Sequence, residues 1–135
     1  MKKKYYITTP IYYPSAKPHM GHAYSSISAD FIARYKRLEG YDVKFVTGTD
    51  EHGQKIQKSA DKRKLSPDVF CTEISKVFLD LTKTLNLSNT DFIRTTEIRH
   101  HKTVQKLWKI LEEKKFIYLS KYSGWYSVSD EAFYT

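Results

Sequence analysis

Between Tyr5 and Gly48 the hydrophobic period changes twice, and that change restricts the possible folds more than any other feature of the chain. Tyr5 to Thr9 is rich in β-formers and stops at Pro10, so it reads as a strand. Pro10, Pro14 and Pro18 follow closely. Each fixes its own φ and pushes its predecessor away from helix, which makes residues 10–18 an extended loop. From Gly21 the period becomes helical, with Tyr24, Ile27, Phe31, Tyr35 and Leu38 on one stripe and Gly40 as the stop. Val43, Phe45 and Val46 then form a second strand that ends at Gly48. A strand, a long helix and a strand make a βαβ unit, so the two strands are parallel and the crossover is right-handed.

The remaining chain continues in the same α/β manner. Glu51 to Lys64 is polar and partly helical. Ser66-Pro67-Asp68 starts a helix, with Ser66 as the cap and Leu65 and Phe70 placed as a hydrophobic staple. Phe70, Ile74, Val77, Phe78, Leu81 and Leu85 form its expected stripe. Phe92 to Thr95 is a short strand, and Thr95 or Thr96 caps a last helix that buries Val104, Leu107, Trp108 and Leu111. Phe116 to Leu119 and Trp125 to Val128 read as short strands around Gly124. Tyr24, Tyr35 and Trp108 are expected in the core, and His100 and His101 on an exposed basic helix.

Composition narrows the function classes. The chain has 135 residues and a formal charge of +8. Residues 1–64 carry 13 basic and 6 acidic groups, and residues 65–135 carry 10 and 9. The basic front half suits an anionic partner such as a nucleotide or RNA, or is a solvated surface. The longest apolar run is Phe116 to Leu119, too short for a membrane helix. The Met-Lys-Lys-Lys start has no apolar stretch behind it, unlike a signal peptide. Cys71 is the lone cysteine, which excludes an internal disulfide and fits a reducing cytoplasm. It reads as a small buried helix residue.

Two loops carry the chemistry. Tyr12-Tyr13-Pro14-Ser15-Ala16-Lys17-Pro18-His19-Met20-Gly21-His22 leaves the first strand and opens the first helix. In an open parallel sheet, ligands bind beyond the carboxyl ends of the strands. A helix N-terminus there offers free N–H groups and partial positive charge to a phosphate. His19 and His22 flank the first turn and add donors. Gly21 costs helix stability, which makes sense if a flat ligand must touch the backbone. His-x-x-His alone is half a metal site, with no Cys or carboxylate nearby to complete it. The second loop, Thr47-Gly48-Thr49-Asp50-Glu51-His52-Gly53, leaves the second strand on the same edge. Asp50 there suits a cationic group of the ligand.

These residues carry a resemblance. Pro18-His19-Met20-Gly21-His22 resembles the His-x-Gly-His signature of class I aminoacyl-tRNA synthetases. Thr8-Thr9-Pro10-Ile11-Tyr12-Tyr13, Gly48-Thr49-Asp50-Glu51-His52-Gly53, Ala29-Asp30-Phe31 and Asp91-Phe92-Ile93-Arg94-Thr95-Thr96-Glu97 are similar to the methionyl members in particular. The resemblance implies a Rossmann-like parallel sheet with flanking helices over residues 1–115. It implies that residues 116–135 begin an inserted connective domain. The implied reaction is activation of methionine by ATP with Mg²⁺, then transfer to tRNA(Met). His19 and His22 match the histidines on the ATP phosphates, and Gly21 the glycine under the adenine. Asp50 matches the acid holding the methionine amino group, and Ile11 and Tyr13 line the methionine site.

The chain also departs from the family pattern. The Lys-rich second ATP loop is absent, and Lys62-Arg63-Lys64-Leu65-Ser66 imitates only its composition. Many relatives have Cys where this chain has Ser127 and Asp130, so no zinc is expected. The chain therefore reads as an N-terminal fragment, inactive by itself, with an unpaired sheet edge, from a cytoplasmic and monomeric enzyme. The alternatives are another class I synthetase, a nucleotidyltransferase with the same histidine motif, or a non-catalytic RNA-binding fragment. Arg94, at a strand end, reads as a surface ion pair, with a phosphate contact as the alternative.

Overall fold

The computed structural model describes residues 2–134. Met1, from the basic start, and Thr135, from the closing Phe133-Tyr134-Thr135 run, lie outside the described residues. The chain divides into two compact units, 1–95 and 96–135.

The first unit is a three-stranded parallel sheet with helices. The strands are β1 (Lys4–Thr8), β2 (Asp42–Thr49) and β3 (Asp91–Arg94), in the order β1-β2-β3. Between β1 and β2 runs helix α1 (Met20–Leu38). Helices α2 (Gln54–Lys62) and α3 (Pro67–Thr84) link β2 to β3. The parallel pairing expected of β1, α1 and β2 therefore holds, and the structure repeats the arrangement from β2 to β3. Val43, Phe45, Thr47 and Thr49 are buried, whereas Asp42 and Lys44 between them are exposed. One face of the sheet is thus covered. Ala29 and Ala33 of α1 pack there on Val43 and Phe45, with Tyr5 and Ile7 of β1 beside them. Ser75 of α3 meets Thr49 on the same face, at the other end of the strand. The other face carries Tyr6, which is exposed.

The stripe on α1 is real, but it faces the other way. Tyr24, Phe31 and Leu38 are 75%, 72% and 87% exposed, and Tyr35 and Ile27 are exposed as well. The buried residues are Ser26, Ala29, Asp30 and Ala33. Small residues let the helix axis approach the sheet closely, which aromatic side chains would prevent. Asp30 anchors that face. It accepts from the Ser88 backbone N–H at 2.6 Å, from the Ser88 hydroxyl, and from Arg34 Nε at 2.6 Å. Burial works against its charge, but these bonds outweigh burial and hold the carboxyl below its ordinary pKa.

Helix α3 follows its expected stripe more closely. Phe70, Ile74 and Phe78 are buried, with Tyr12, Ile56, Ala60 and Cys71 in the same cluster and Leu65 and Phe92 packed against it. Val77 is exposed, and Cys71, Ser75 and Thr82 take the remaining buried positions. Ser66 occupies the cap position but makes no side-chain cap bond. Its hydroxyl bonds Asp68 instead and, with backbone N–H groups, lowers that carboxyl's pKa.

In the second unit, α4 (Ile98–Glu113) precedes an antiparallel hairpin of β4 (Trp125–Ser127) and β5 (Ala132–Tyr134). Glu97, rather than Thr95 or Thr96, is the N-cap. No residue of α4 is buried, so Val104, Leu107 and Trp108 are exposed rather than core. Residues 116–119 form no strand, and Leu119 is fully exposed. A strand needs a partner for its backbone groups, and the hairpin has already used the nearby one. The hairpin is held by Phe133, whose ring meets those of Tyr122 and Tyr126 at 4.9 Å.

Candidate active site

The loop after β1 is zipped onto the end of β2. Tyr12 and Thr49 form a parallel bridge. The Tyr12 N–H donates to Gly48 O at 3.0 Å, and the Asp50 N–H donates to Tyr12 O at 2.9 Å. Below this, the Thr9 and Thr47 hydroxyls meet at 2.6 Å in a buried contact. The strand alternation that continues through the bridge explains the side-chain pattern. Tyr12 is buried, whereas Ile11 and Tyr13 on either side are 50% and 38% exposed. Ile11 and Tyr13 are therefore open to a ligand at the sheet edge. Tyr12, to which the sequence pattern assigns no role, is the hub of the site.

Tyr12 also reaches the first turn of α1. Its ring stacks on Phe78 at 5.7 Å and takes the His22 ring edge-on at 4.8 Å. Its hydroxyl lies 2.9 Å from Ser26 Oγ and donates to His22 O at 3.3 Å. Tyr12 thus connects the Asp50 backbone, through its own carbonyl, to the His22 imidazole, through its ring.

The two histidines form a capping box. His19 is the N-cap of α1, and its Nδ1 accepts from the Gly21 N–H at 3.1 Å. His22 stands at N3, and its Nδ1 accepts from the His19 N–H at 3.0 Å. Ser or Thr with Glu commonly play these parts. The substitution by histidine has a chemical consequence. A ring nitrogen that accepts a hydrogen bond carries no proton, so each neutral ring holds its proton on Nε2. Neither Nε2 has a partner among the described residues. The helix therefore presents two side-chain N–H donors at a turn whose His19, Gly21 and His22 backbone N–H groups are already engaged, with no acid in its first turn. The rings lie 3.9 Å apart. Burial first, and then the His19 charge, lower the His22 pKa, which keeps this ring neutral at pH 7.

Gly21 has a second reason for its lack of a Cβ. An added methyl would stand 2.9 Å from His19 Cε1 and 3.1 Å from Nδ1, so the ring would have to move. Asp50, half-buried at the end of β2, makes no side-chain hydrogen bond or ion pair among the described residues. Its carboxylate is available to a cation. Arg94 is indeed in an ion pair, but with the fully buried side chain of Glu51. Sequence reasoning gave Glu51 no part. Its place as a second acid directly after Asp50 in the strand-end loop was the available signal.

A parallel sheet whose strand ends carry a helix N-terminus and a half-buried carboxylate has the architecture of the nucleotide-binding fold of class I synthetases. The family model described as tRNA synthetases class I (M) matches residues 5–135, and the chain belongs to that family. Its relatives are methionine–tRNA ligases. That of Listeria monocytogenes is 57% identical over 134 residues, which is 99% of this chain and 20% of that protein. That of Bacillus subtilis is 52% identical over 131 residues, covering 97% of this chain and 20% of that protein. The methionyl-tRNA synthetase of Mycobacterium tuberculosis, solved with methionyl-adenylate, superposes with a TM-score of 0.93 at 48% identity. That match covers 98% of this chain and 26% of that one. The LeuRS of Agrobacterium radiobacter K84 superposes at 0.82 with 23% identity, over 96% of this chain and 17% of that one, and shares the fold. The chain thus spans about a fifth of the length of the curated relatives it matches.

Proposed function

We propose that these residues supply the first half of the site at which a methionine–tRNA ligase makes methionyl-adenylate. The methionine carboxylate attacks the α-phosphorus of ATP, a P–O bond forms, and pyrophosphate leaves. The nucleophile is already ionised, so no base is required. What the protein must supply is position and stabilisation of phosphate charge. The His19 and His22 Nε2–H groups serve the phosphates, and the bare Gly21 backbone serves the adenine face. Asp50 pairs with the methionine ammonium. Ile11 and Tyr13 offer apolar and aromatic surface to the thioether. The observation that carries this reading is the pairing of two tautomer-fixed donors with an unengaged carboxylate, joined through Tyr12 at one sheet edge.

Mg²⁺ accompanies ATP as its counter-ion in this reading, and tRNA(Met) receives the methionyl group. Residues 116–135 begin the connective insertion, and the enzyme works in the cytoplasm as a monomer. No helix among the described residues is long and apolar enough to cross a membrane. Zinc has no part. Ser127 Oγ donates to Asp130 Oδ2 at 2.6 Å and accepts from the Asp130 N–H at 3.4 Å. This turn closes through its own side chains, and a hydroxyl is a poor zinc ligand beside a thiolate. Stoichiometric zinc in the purified full-length protein would contradict this.

The decisive experiment is ATP–pyrophosphate exchange by the full-length protein with each amino acid in turn. Methionine-dependent exchange is expected. Exchange driven by a different amino acid and not by methionine would reject the reading.

A further inference from the structure

Glu51 is buried beside Asp50, and the activation chemistry gives it no role. Its side chain is wholly inaccessible. Oε1 accepts from Arg94 Nε at 2.7 Å, from Thr49 Oγ1 at 2.8 Å, and from the Ser75 hydroxyl. Oε2 accepts from Arg94 Nη2 at 3.0 Å, and that same nitrogen donates to Thr72 Oγ1 at 3.0 Å. The Glu51 N–H donates to Thr95 Oγ1 at 2.8 Å, and its carbonyl faces the Cys71 thiol at 3.8 Å. One residue therefore ties the ends of β2 and β3 to α3.

Stability alone does not account for such a pair. A buried ion pair roughly breaks even with well-packed apolar side chains, because desolvation offsets the Coulomb gain. What it adds is direction, since the guanidinium fork accepts a carboxylate in one geometry. Asp50 sits between Thr49 and Glu51. Thr49 is locked by the sheet and Glu51 by the network, and the Asp50 N–H is held by Tyr12. We propose that the Glu51–Arg94 pair is a positioning device that aims the Asp50 carboxylate at the substrate ammonium. This rests on the reading of Asp50 given above. The pair touches no substrate atom and acts only through Asp50.

The test uses the full-length enzyme and methionine-dependent ATP–pyrophosphate exchange. Glu51→Gln keeps the side-chain shape but loses the charge that holds the fork. It should raise the KM for methionine by between about 10-fold and about 100-fold, the range expected when a contact is misplaced by an ångström or less. The KM for ATP should stay within about two-fold, because the histidine turn is fixed by its own capping box, which the Glu51–Arg94 pair does not touch. Arg94→Lys keeps the charge without the fork and should fall between wild type and Glu51→Gln. In an Asp50→Ala background, Glu51→Gln should cause no further rise in methionine KM. A lower melting temperature with both KM values unchanged would make the pair merely structural and overturn the proposal. So would additive effects of Asp50→Ala and Glu51→Gln. If Glu51→Gln fails to fold, Arg94→Lys takes its place in the same KM comparison, and unchanged KM values there overturn the proposal equally. A wild-type enzyme that shows no methionine-dependent exchange would instead remove the reading on which the proposal rests, and the proposal with it.

Discussion

Replacing Gly48 by Ala should break the sheet where the site is built. Gly48 pairs with Ile93 in the parallel register of β2 and β3. A Cβ at this position would lie 1.9 Å from the Ile93 carbonyl oxygen, 2.8 Å from its carbon and 3.0 Å from its nitrogen. These are backbone atoms inside a sheet, so no rotamer change can relieve the clash. Ordinary contact begins at 3.4 Å, so the strands must separate by about 1.5 Å. The Thr95 N–H bond to Thr49 O, already 3.2 Å, would then be lost with its neighbours in the ladder. Overpacking costs about 1–3 kcal/mol, and each stranded buried backbone group a further ~1–3 kcal/mol. A total of about 3–5 kcal/mol is a large share of the ~5–15 kcal/mol that a domain usually has. Thermal unfolding followed by circular dichroism should show a midpoint lower by about 15 °C or more for a unit of this size. Gly124→Ala is the control. Its added methyl would meet its nearest neighbours at 3.5–3.6 Å, which is normal contact, so the midpoint should hardly move. Equal midpoints for wild type and Gly48→Ala would refute the steric reasoning.

Three further outcomes are expected. His19→Ala and His22→Ala should each lower ATP–pyrophosphate exchange by about 10²–10³-fold, as for loss of one preorganised donor, while the salt dependence of bulk RNA binding stays unchanged. His22 ionises at 6.5 when unfolded but lower when folded, so the unfolded chain binds the proton more readily. Its contribution to stability is complete above pH 6.5 and is lost as pH falls through the window below; chemical denaturation at stepped pH should show a decline that His22→Asn reduces. Cys71 is 1% exposed, and burial, with the Glu51 charge second, pushes its thiol up to about 11. A thiol-reactive dye at pH 8 should therefore leave the folded protein unmodified and label it rapidly in denaturant.

How much of this was legible in the residues differs from element to element. The βαβ order followed from the change of hydrophobic period, and the helix limits from Pro18, Gly40 and Ser66-Pro67. Those are local effects of backbone geometry, and the chain expresses them wherever it folds. The His19–His22 turn was visible as a candidate ligand loop, but its tautomer logic needed the hydrogen bonds of a formed helix end. The direction of the α1 stripe is opposite to the one its period suggests. Periodicity reports that two helix faces differ, and it does not report which one the neighbours cover. Here Ala29 and Ala33 won the sheet because they permit close approach, and the aromatic residues were left outside.

By itself, then, the sequence determined the order of elements and the parallel pairing, and marked the two candidate loops after the first two strands, because each depends on residues near one another in the chain. Only the tertiary structure decided that Tyr12 joins those loops and that Glu51 is bound to Arg94, 43 residues away. It also decided that Gly48 is needed for space against Ile93. Such pairings arise when distant strands meet in register, and the local spacing of residue types carries no record of which distant partner will be there.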